Sequence, residues 1–421
     1  MRQTRVWARL LDVQGTIVEG VSVEEDEEGE MAAVVVAVHL RRGDQGRCGR
    51  CRRRCPGYDR GEGRRRWRHR RHLDLGTVQS FIEAEAPRVR CPEHGVVVAW
   101  VPWARHGAGH TRAFDDTIAW LAVRTAKSAI MELLRITWRT VGRTITRVSA
   151  DAQAGVDRFA GLLRIGIDEI SCKRGHRYLT VVVDHDSGRL VWAAVGRDEA
   201  TLRQFFDALG ETRCAAISLV SANAASWIAT VVAERCPNAT LCLDPFHIVA
   251  WATKALDEVR REVWNAARRG GQTALARELK GARFALWKNP EDLTGRQKVK
   301  LATIEQTDQR LYRAYLLKEQ LRQVFHLRQP WRALRLLDHW LVWARRCRLP
   351  AFVQLARSIT NHRAGIEAAL VHHLSNARVE SMNTRLRLLT RIAFGFRSPD
   401  ALIALAMLSL GGYCPPLPGR S

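Results

Sequence analysis

Two short turns near the start of the chain carry the clearest chemistry in the sequence. Cys48 and Cys51 form a C-x-x-C knuckle in "RCGRC", and Cys91 and His94 form a C-x-x-H knuckle in "RCPEHG". A two-residue gap lets one turn aim both ligands at the same ion. Two such turns supply the four sulfur and nitrogen donors of a closed tetrahedral zinc site. Cys55 is a rival ligand, but it lacks knuckle spacing. The 39 residues between Cys51 and Cys91 call for a loop or hairpin, with "VQSFIEAEAPRVR" as the candidate segment. The other cysteines (Cys172, Cys214, Cys236, Cys242, Cys347 and Cys414) are scattered and read as small buried hydrophobes rather than as a disulfide framework.

A second set of residues is polar and dispersed. Asp168 closes the apolar run "RIGID", Asn223 follows "ISLVSA", and Glu380 lies in "NARVESMNTRLRLLTR". Carboxylates gathered from separate elements hold magnesium through oxygen. Two such ions about 4 Å apart support in-line phosphoryl transfer on a nucleic acid backbone. That chemistry expects an aspartate at position 223, where an amide brings no charge to offset the ions. The set Asp168, Asn223 and Glu380 therefore predicts a magnesium or manganese site weakened at its middle member. Asp244 in "LDPFH", with His247 three residues on, is a competing second acid. Asn376, Glu380, Asn383 and Arg387 recur at i, i+4, i+7 and i+11, which puts them on one helix face.

Elements able to position these residues can be read from periodicity. "SAIMELLRITWRTVGRTITRV" places Ile130, Leu133, Leu134, Val141, Ile145 and Val148 at helical spacing. A break at "RIT" separates two helices, and Thr137 is placed to cap the second. This is helix-turn-helix spacing, with Arg139, Thr140, Arg143 and Arg147 displayed to DNA. Further on, "LLRIGIDEI", "RYLTVVVDHDSG" and "RLVWAAVG" read as three strands, the second and third joined as a hairpin. A helix, the strand "AAISLV", a helix and the strand "ATLCLD" follow. That order fits a ribonuclease-H-like α/β sheet. A long Arg- and Leu-rich helical stretch interrupts it before the Glu380 helix returns. The expected layout is a zinc-binding domain over 1–110, a helix-turn-helix over 111–155, a catalytic core over 156–246 and 374–421, and a helical insertion over 247–373.

The charge agrees with a nucleic acid partner. The 421 residues carry a formal +24, and residues 41–72 alone hold 14 Arg against Asp44, Asp59 and Glu62. A solvated face would mix both signs, so this run is expected to contact phosphates. The N-terminus has no apolar signal segment, and no apolar run reaches the roughly 20 residues needed to span a bilayer. A cytoplasmic, nucleoid-associated protein of a high-GC bacterium is the expectation.

The motifs "CGRC…CPEHG", "AKSAIMELLRITWRTVGRTITRV", "GIDEISCKRGHRYLTVVVD", "PNATLCLDPFHIVAWATKALDEVRR" and "SNARVESMNTRLRLLTRIAFGFRSPDALIALAMLSLGG" together resemble the ISL3 family of insertion-sequence transposases, over nearly the whole chain. The resemblance implies a zinc-binding domain, a helix-turn-helix and a DDE catalytic domain split by a helical insertion. It further implies catalytic acids at Asp168 and Glu380 and an aspartate at position 223, from which this chain departs. The implied activity is binding of terminal inverted repeats, hydrolysis at the element end, and attack of the freed 3′-hydroxyl on target DNA. A homodimer or larger assembly would match the two ends of an element. A transposase-derived DNA-binding regulator without catalysis is the alternative, favoured by Asn223. An RNA-processing nuclease is disfavoured by the lack of an evident stacking platform.

Overall fold

The computed structural model describes residues 3–11, 15–25, 27–60, 67–173, 177–393 and 398–420. Glu62, Arg64, Arg65 and Arg66 of the basic run lie outside these, as does the Cys172 side chain. The chain forms two compact units, Met1–Asp157 with Leu388–Ser421, and Arg158–Arg387.

The first unit opens with helix α1 (Gln3–Leu10) and strands β1 (Thr16–Glu25) and β2 (Met31–Leu40). Strands β3 (Gly57–Asp59), β4 (Trp67–Leu75), β5 (Val78–Glu85), β6 (Arg88–Cys91) and β7 (Gly95–Val98) follow. They make two sheets, in the orders β1-β2-β5-β4 and β3-β6-β7. The spacer between the knuckles does hold a hairpin, formed by β4 and β5 and closed between Leu75 and Val78, so the expected segment supplies only its second strand. It contributes β5 to the larger sheet and β6 to the smaller one. The reason is the alternation in "VQSFIEAE", whose Ser80, Ile82 and Ala84 are buried, and a strand with one apolar face pairs where that face can be covered.

Three helices complete this part: α2 (Arg112–Ala122), α3 (Lys127–Leu134) and α4 (Trp138–Ala154). Thr137 accepts a hydrogen bond from the Thr140 N–H and caps α4, as its position predicts. Ile130, Leu134, Val141, Ile145 and Val148 are buried, whereas Leu133 is 63% exposed.

The second unit is built on β8 (Arg164–Lys173), β9 (Arg177–Asp184), β10 (Leu190–Val195), α5 (Glu199–Leu209), α6 (Glu211–Ala216), β11 (Leu219–Ala222), α7 (Ser226–Arg235) and β12 (Thr240–Leu243). The sheet order is β10-β9-β8-β11-β12. The first three strands are antiparallel, and β11 runs parallel to both β8 and β12. Ile165 and Ile167 of β8 pack with Phe205, Phe206 and Ile228 of α5 and α7. Side chains alternate along a strand, so Gly166 and Asp168 face the other way.

Helix α8 (Pro245–Arg269) starts a helical body that continues through α9 (Thr273–Gly281), α10 (Arg283–Trp287), α11 (Gly295–Thr307), α12 (Gln309–Val324), α13 (Pro330–Arg346), α14 (Pro350–Asn361) and α15 (Arg363–His372). Its core gathers Leu256, Leu317, Leu337, Trp340 and Phe352. Helix α16 (Ala377–Ile392) then returns to the sheet. A Cβ on Gly166 would lie 2.4 Å from Val379 Cγ2, so only glycine lets α16 lie this close to β8.

The last helix, α17 (Pro399–Leu410), packs against α4 in the first unit. The expected catalytic segment 374–421 is thus divided, its part from Leu388 grouping with the N-terminal residues. The physical reason is composition: "ALIALAMLSL" is apolar on every side, and a helix of that kind needs cover all round.

Candidate functional site

The knuckle residues converge. The donor atoms of Cys48, Cys51, Cys91 and His94 all lie within 4.8 Å of one another. Cys51 Sγ is 3.7 Å from Cys91 Sγ, and His94 Nδ1 is 3.6 Å from Cys91 Sγ and 3.8 Å from Cys48 Sγ. A tetrahedron with Zn–S bonds of about 2.3 Å has edges of about 3.8 Å. These donors therefore fit one zinc ion. Burial raises the Cys91 thiol, but hydrogen bonding from the His94 side chain and nearby backbone outweighs it and brings the group down to about 6. Gly49, inside the first knuckle, sits where a Cβ would meet Val98 O at 2.4 Å and His106 Nδ1 at 2.6 Å. Cys55 is buried beside the cluster, and its thiol donates to the Arg53 carbonyl. Cys214, Cys236, Cys242 and Cys347 are buried as expected, while Cys414 is only partly so.

The basic run does not all face outward. Arg41, Arg42, Arg50, Arg52, Arg53, Arg54, Arg60 and Arg68 are exposed. Arg71 and His72 are buried, and Arg70 donates to the Ala108 carbonyl. Among the helix-turn-helix residues, Arg139 and Arg143 are exposed. Thr140 shares its hydroxyl with Thr137 at 3.0 Å. Arg147, expected on the displayed face, instead turns inward to Asp115, with Nε and Nη2 at 3.1 and 2.9 Å from its two oxygens. Asp115 is fully buried and draws the guanidinium away from solvent, a match that spacing alone does not disclose.

In the second unit, Asp168, Asn223 and Glu380 line one cavity of about 600 Å³, together with Glu169, Arg197, His247, Asn383 and Arg387. The Asp168 carboxylate accepts from the Glu169 N–H at 2.8 Å and from Asn383 Nδ2 at 2.7 Å. Burial raises its pKa, and the charge of Asp244 adds to the rise. Glu380 is raised by burial first, then by the charges of Asp244 and Asp168. Asn223 accepts from the Ala225 N–H at 2.9 Å and donates to Glu169 Oε2 at 2.8 Å. Arg197 Nε lies 3.5 Å from Glu169 Oε1.

Asp244 is buried and does not line this cavity. Its Oδ2 caps α8 through the His247 N–H and meets His247 Nδ1 at 2.7 Å, while Oδ1 accepts from the Asn376 N–H at 3.1 Å. Asn376 also donates to the Ile167 carbonyl and accepts from the Ser221 hydroxyl. Of the four stripe residues, Glu380, Asn383 and Arg387 reach the cavity, and the buried Asn376 ties β8, β11 and Asp244 together. Sequence reading misses Glu169 and Arg197. An acid adjacent to Asp168 is the available signal, but strand alternation points it to the opposite face.

The oxygen donors fit a divalent cation. Asp168 and Glu380 bring carboxylates to one cavity with raised pKa values, and Asn383 Oδ1 is buried without a hydrogen-bond partner among the described residues. Such a group is stabilised when a cation approaches.

Comparison with known proteins agrees with these parts. Residues 165–406 match a family model described as transposase, and residues 101–149 match the helix-turn-helix domain of transposase family ISL3. Residues 44–94 match the zinc-finger of the IS204/IS1001/IS1096/IS1165 transposases. The transposase for insertion sequence element IS1557 of Mycobacterium tuberculosis is 60% identical over 440 residues, covering all of this chain and 98% of the relative. The transposase for IS1001 of Bordetella parapertussis is 26% identical, over 79% of this chain and 82% of its own length. Among the described residues, no helix is long and apolar enough to cross a membrane.

Proposed function

The chain belongs to the ISL3 family of insertion-sequence transposases, and on that premise we propose that it binds the terminal inverted repeats of its own element and carries a weakened phosphoryl-transfer site. The observation carrying the reading is that Asp168, Asn223 and Glu380, from three separate elements, line one cavity. The sheet order β10-β9-β8-β11-β12 supports a ribonuclease-H-like core, with Asp168 on its central strand and position 223 just beyond the neighbouring strand. Magnesium or manganese held by Asp168, position 223 and Glu380 would activate the attacking water or 3′-hydroxyl and stabilise the leaving oxygen. Arg197 and Arg387 on the cavity wall offer cations to the phosphates of a bound strand. Both hydrolysis and strand transfer are in-line displacements, so one site serves both. Binding to the repeats falls to the zinc ribbon and the helix-turn-helix, in an assembly of two or more copies on bacterial DNA.

Asn223 is the weak member. Both ends of its amide are already engaged, with Ala225 and Glu169, and the amide adds no negative charge where cations must be held. Asp244 remains the competing second acid, because its charge bears on both Asp168 and Glu380. Against it, both Asp244 oxygens are committed to the start of α8 and to Asn376.

Asn223→Asp tests the assignment. It is expected to raise magnesium- or manganese-dependent cleavage at the element ends by about a hundredfold or more, since metal charge stabilisation is worth several kcal/mol and about 1.4 kcal/mol is a decade in rate. Repeat binding should change little. Asp168→Ala or Glu380→Ala added to it should abolish the gain. If the chain as it stands cleaves briskly and only Asp244→Ala stops it, the second acid is Asp244. A chain that binds the repeats but never cleaves, even with the Asn223→Asp substitution, is the regulator.

A further inference from the structure

The amide of Asn223 does more than occupy an acid's place. It donates to Glu169 Oε2 at 2.8 Å, and the Glu169 side chain is only 6% exposed. The other oxygen, Oε1, is buried with no hydrogen-bond partner among the described residues. Arg197 leans toward it, with Nε at 3.5 Å, while half of the Arg197 side chain stays exposed. All three residues line the cavity that holds Asp168 and Glu380.

Arg197 is held from behind rather than paired off. Where this chain closes an arginine on a carboxylate, the contact is short: Arg88 Nε reaches Asp59 at 2.8 Å, and Arg203 reaches both Glu234 oxygens at 2.6 and 2.5 Å. Arg197 makes no closed pair of that kind, and among the described residues its guanidinium donates no hydrogen bond. It lies instead over Tyr178, 5.0 Å from the ring centroid. The backbone on either side is fixed. Gly196 has φ +137°, and a Cβ there would collide with the Thr201 side chain. The Gly196 N–H donates to the Tyr178 carbonyl at 3.0 Å, and its carbonyl accepts from the Thr180 hydroxyl at 2.9 Å. Asp198 caps α5 through the Thr201 N–H at 2.8 Å. A guanidinium carries a fork of N–H donors, so one anchored this way and left open is set for an anion entering the cavity.

We propose that Arg197 grips a phosphate of the bound strand within one position of the bond to be cut, and that Asn223 is a positioning residue for it, acting through Glu169. The occupant is strand phosphate because the same cavity gathers Asp168 and Glu380 for phosphodiester chemistry, and the proposal rests on that reading. With Asn223 Nδ2 on Oε2, the Glu169 carboxylate is held in one rotation, with Oε1 toward Arg197. An aspartate at 223 would set two carboxylates face to face and lose that hold.

The test uses the full chain and a set of fluorescent element-end duplexes, each with one phosphate near the cleavage point replaced by a neutral methylphosphonate. Affinities are measured in magnesium over times too short for cutting, so no outcome depends on whether Asn223→Asp restores cleavage. The unaltered chain should lose about three- to fivefold at one position within one phosphate of the cut, the size of a single partly exposed ion pair. Arg197→Ala should lose that much on the unmodified duplex and nothing more at that position. Arg197→Lys should keep part of the penalty, having the charge without the fork. Asn223→Ala and Glu169→Gln should shrink the penalty at the same position. A uniform loss of affinity at every position would mark the three residues as structural and overturn the proposal. An interference pattern unchanged in Arg197→Ala overturns the grip. One erased by Arg197→Ala but untouched by Asn223→Ala and Glu169→Gln overturns the positioning role. Repeat binding with no sensitive phosphate near the cut overturns both. Failure of the unaltered chain to bind the repeat at all would instead fail the underlying transposase reading.

Discussion

Asp115 in the first unit and Asp168 in the second are both buried carboxylates in a strongly basic chain, and the protein treats them in opposite ways. Asp115 of α2 has Arg147 of α4 bidentate upon it, with Arg105 Nη1 at 3.7 Å and His110 Nδ1 at 3.6 Å. Burial alone would raise its pKa, but these neighbours outweigh burial and leave it below the ordinary value. Asp168 accepts hydrogen bonds only from a backbone N–H and the Asn383 amide, with His247 and the acids Asp244 and Glu380 nearby. Its pKa is raised. In the first case the polypeptide supplies the counter-charge, which makes the acid structural. In the second the counter-charge from His247 is too small to offset burial, which leaves room for a cation that is not part of the chain.

The zinc ribbon extends the contrast furthest, because three cysteines and one histidine bring four donors to one point. The largest expected effect is therefore there. Chelation, or Cys91→Ala, should remove one zinc per chain and open the two knuckles and the β3-β6-β7 sheet, because structural zinc contributes about 10–16 kcal/mol of apparent binding energy to small finger domains. Elemental analysis and limited proteolysis check it. Freshly purified protein with no zinc and an intact ribbon would refute the assignment.

Next in size is Asp115→Ala. It removes the carboxylate that holds Arg147, while Arg105 keeps Asp116 and Asp151, and breaking one partner of a buried pair costs about 3–5 kcal/mol. Chemical denaturation should show that loss, with DNA binding falling only as far as the fold does. Arg139→Ala and Arg143→Ala should do the reverse, sparing stability and weakening repeat binding. If Arg147→Ala behaves like those two rather than like Asp115→Ala, the inward pairing of Arg147 is not what holds α2 to α4.

What could be read from the sequence follows from the distance over which each feature is built. The knuckles are local turns, so spacing alone places Cys48, Cys51, Cys91 and His94. Thr137 and the buried positions of α4 are equally local. Asp168 and Glu380 are legible as a strand acid and a helix-face acid, because periodicity assigns them to elements that converge. Yet β8 runs on to Lys173, so Asp168 lies in its middle rather than at its end. Arg147 is not legible, since its fate depends on Asp115, 32 residues earlier. The same holds for Glu169, which meets Asn223 and Arg197 only once three strands are assembled, and for α17, whose apolar sequence says that it is covered but not by what. The sheet order β1-β2-β5-β4 escapes for a related reason: "MAAVVVAVHL" is a continuous apolar run, and such a run does not declare its partner.

The smallest change in structure sharpens the comparison most. Asp168→Asn is expected to leave the second unit as stable or to stabilise it by about 1 kcal/mol, within the range typical of relieving functional strain, while abolishing any cation-dependent cleavage. The side chain keeps its shape, and its oxygen can still accept from the Glu169 N–H. Its new amide would face Asn383, whose Oδ1 is buried without a partner among the described residues. A half-turn of the Asn383 amide brings that oxygen round to accept and leaves Nδ2 unpaired in its place, so the number of unpaired buried groups does not rise. The sign of the pH dependence gives an independent reading. A carboxyl whose folded pKa is raised stabilises the fold below that pKa, and the contribution fades as pH rises from the ordinary carboxylate value through the raised one. In the absence of divalent ions the unaltered chain should lose stability over that interval, Asp168→Asn should lose less, and added magnesium should restore the first and not the second. A clear destabilisation by Asp168→Asn at neutral pH, unaffected by magnesium, would place Asp168 with Asp115 among the structural acids and dissolve the contrast.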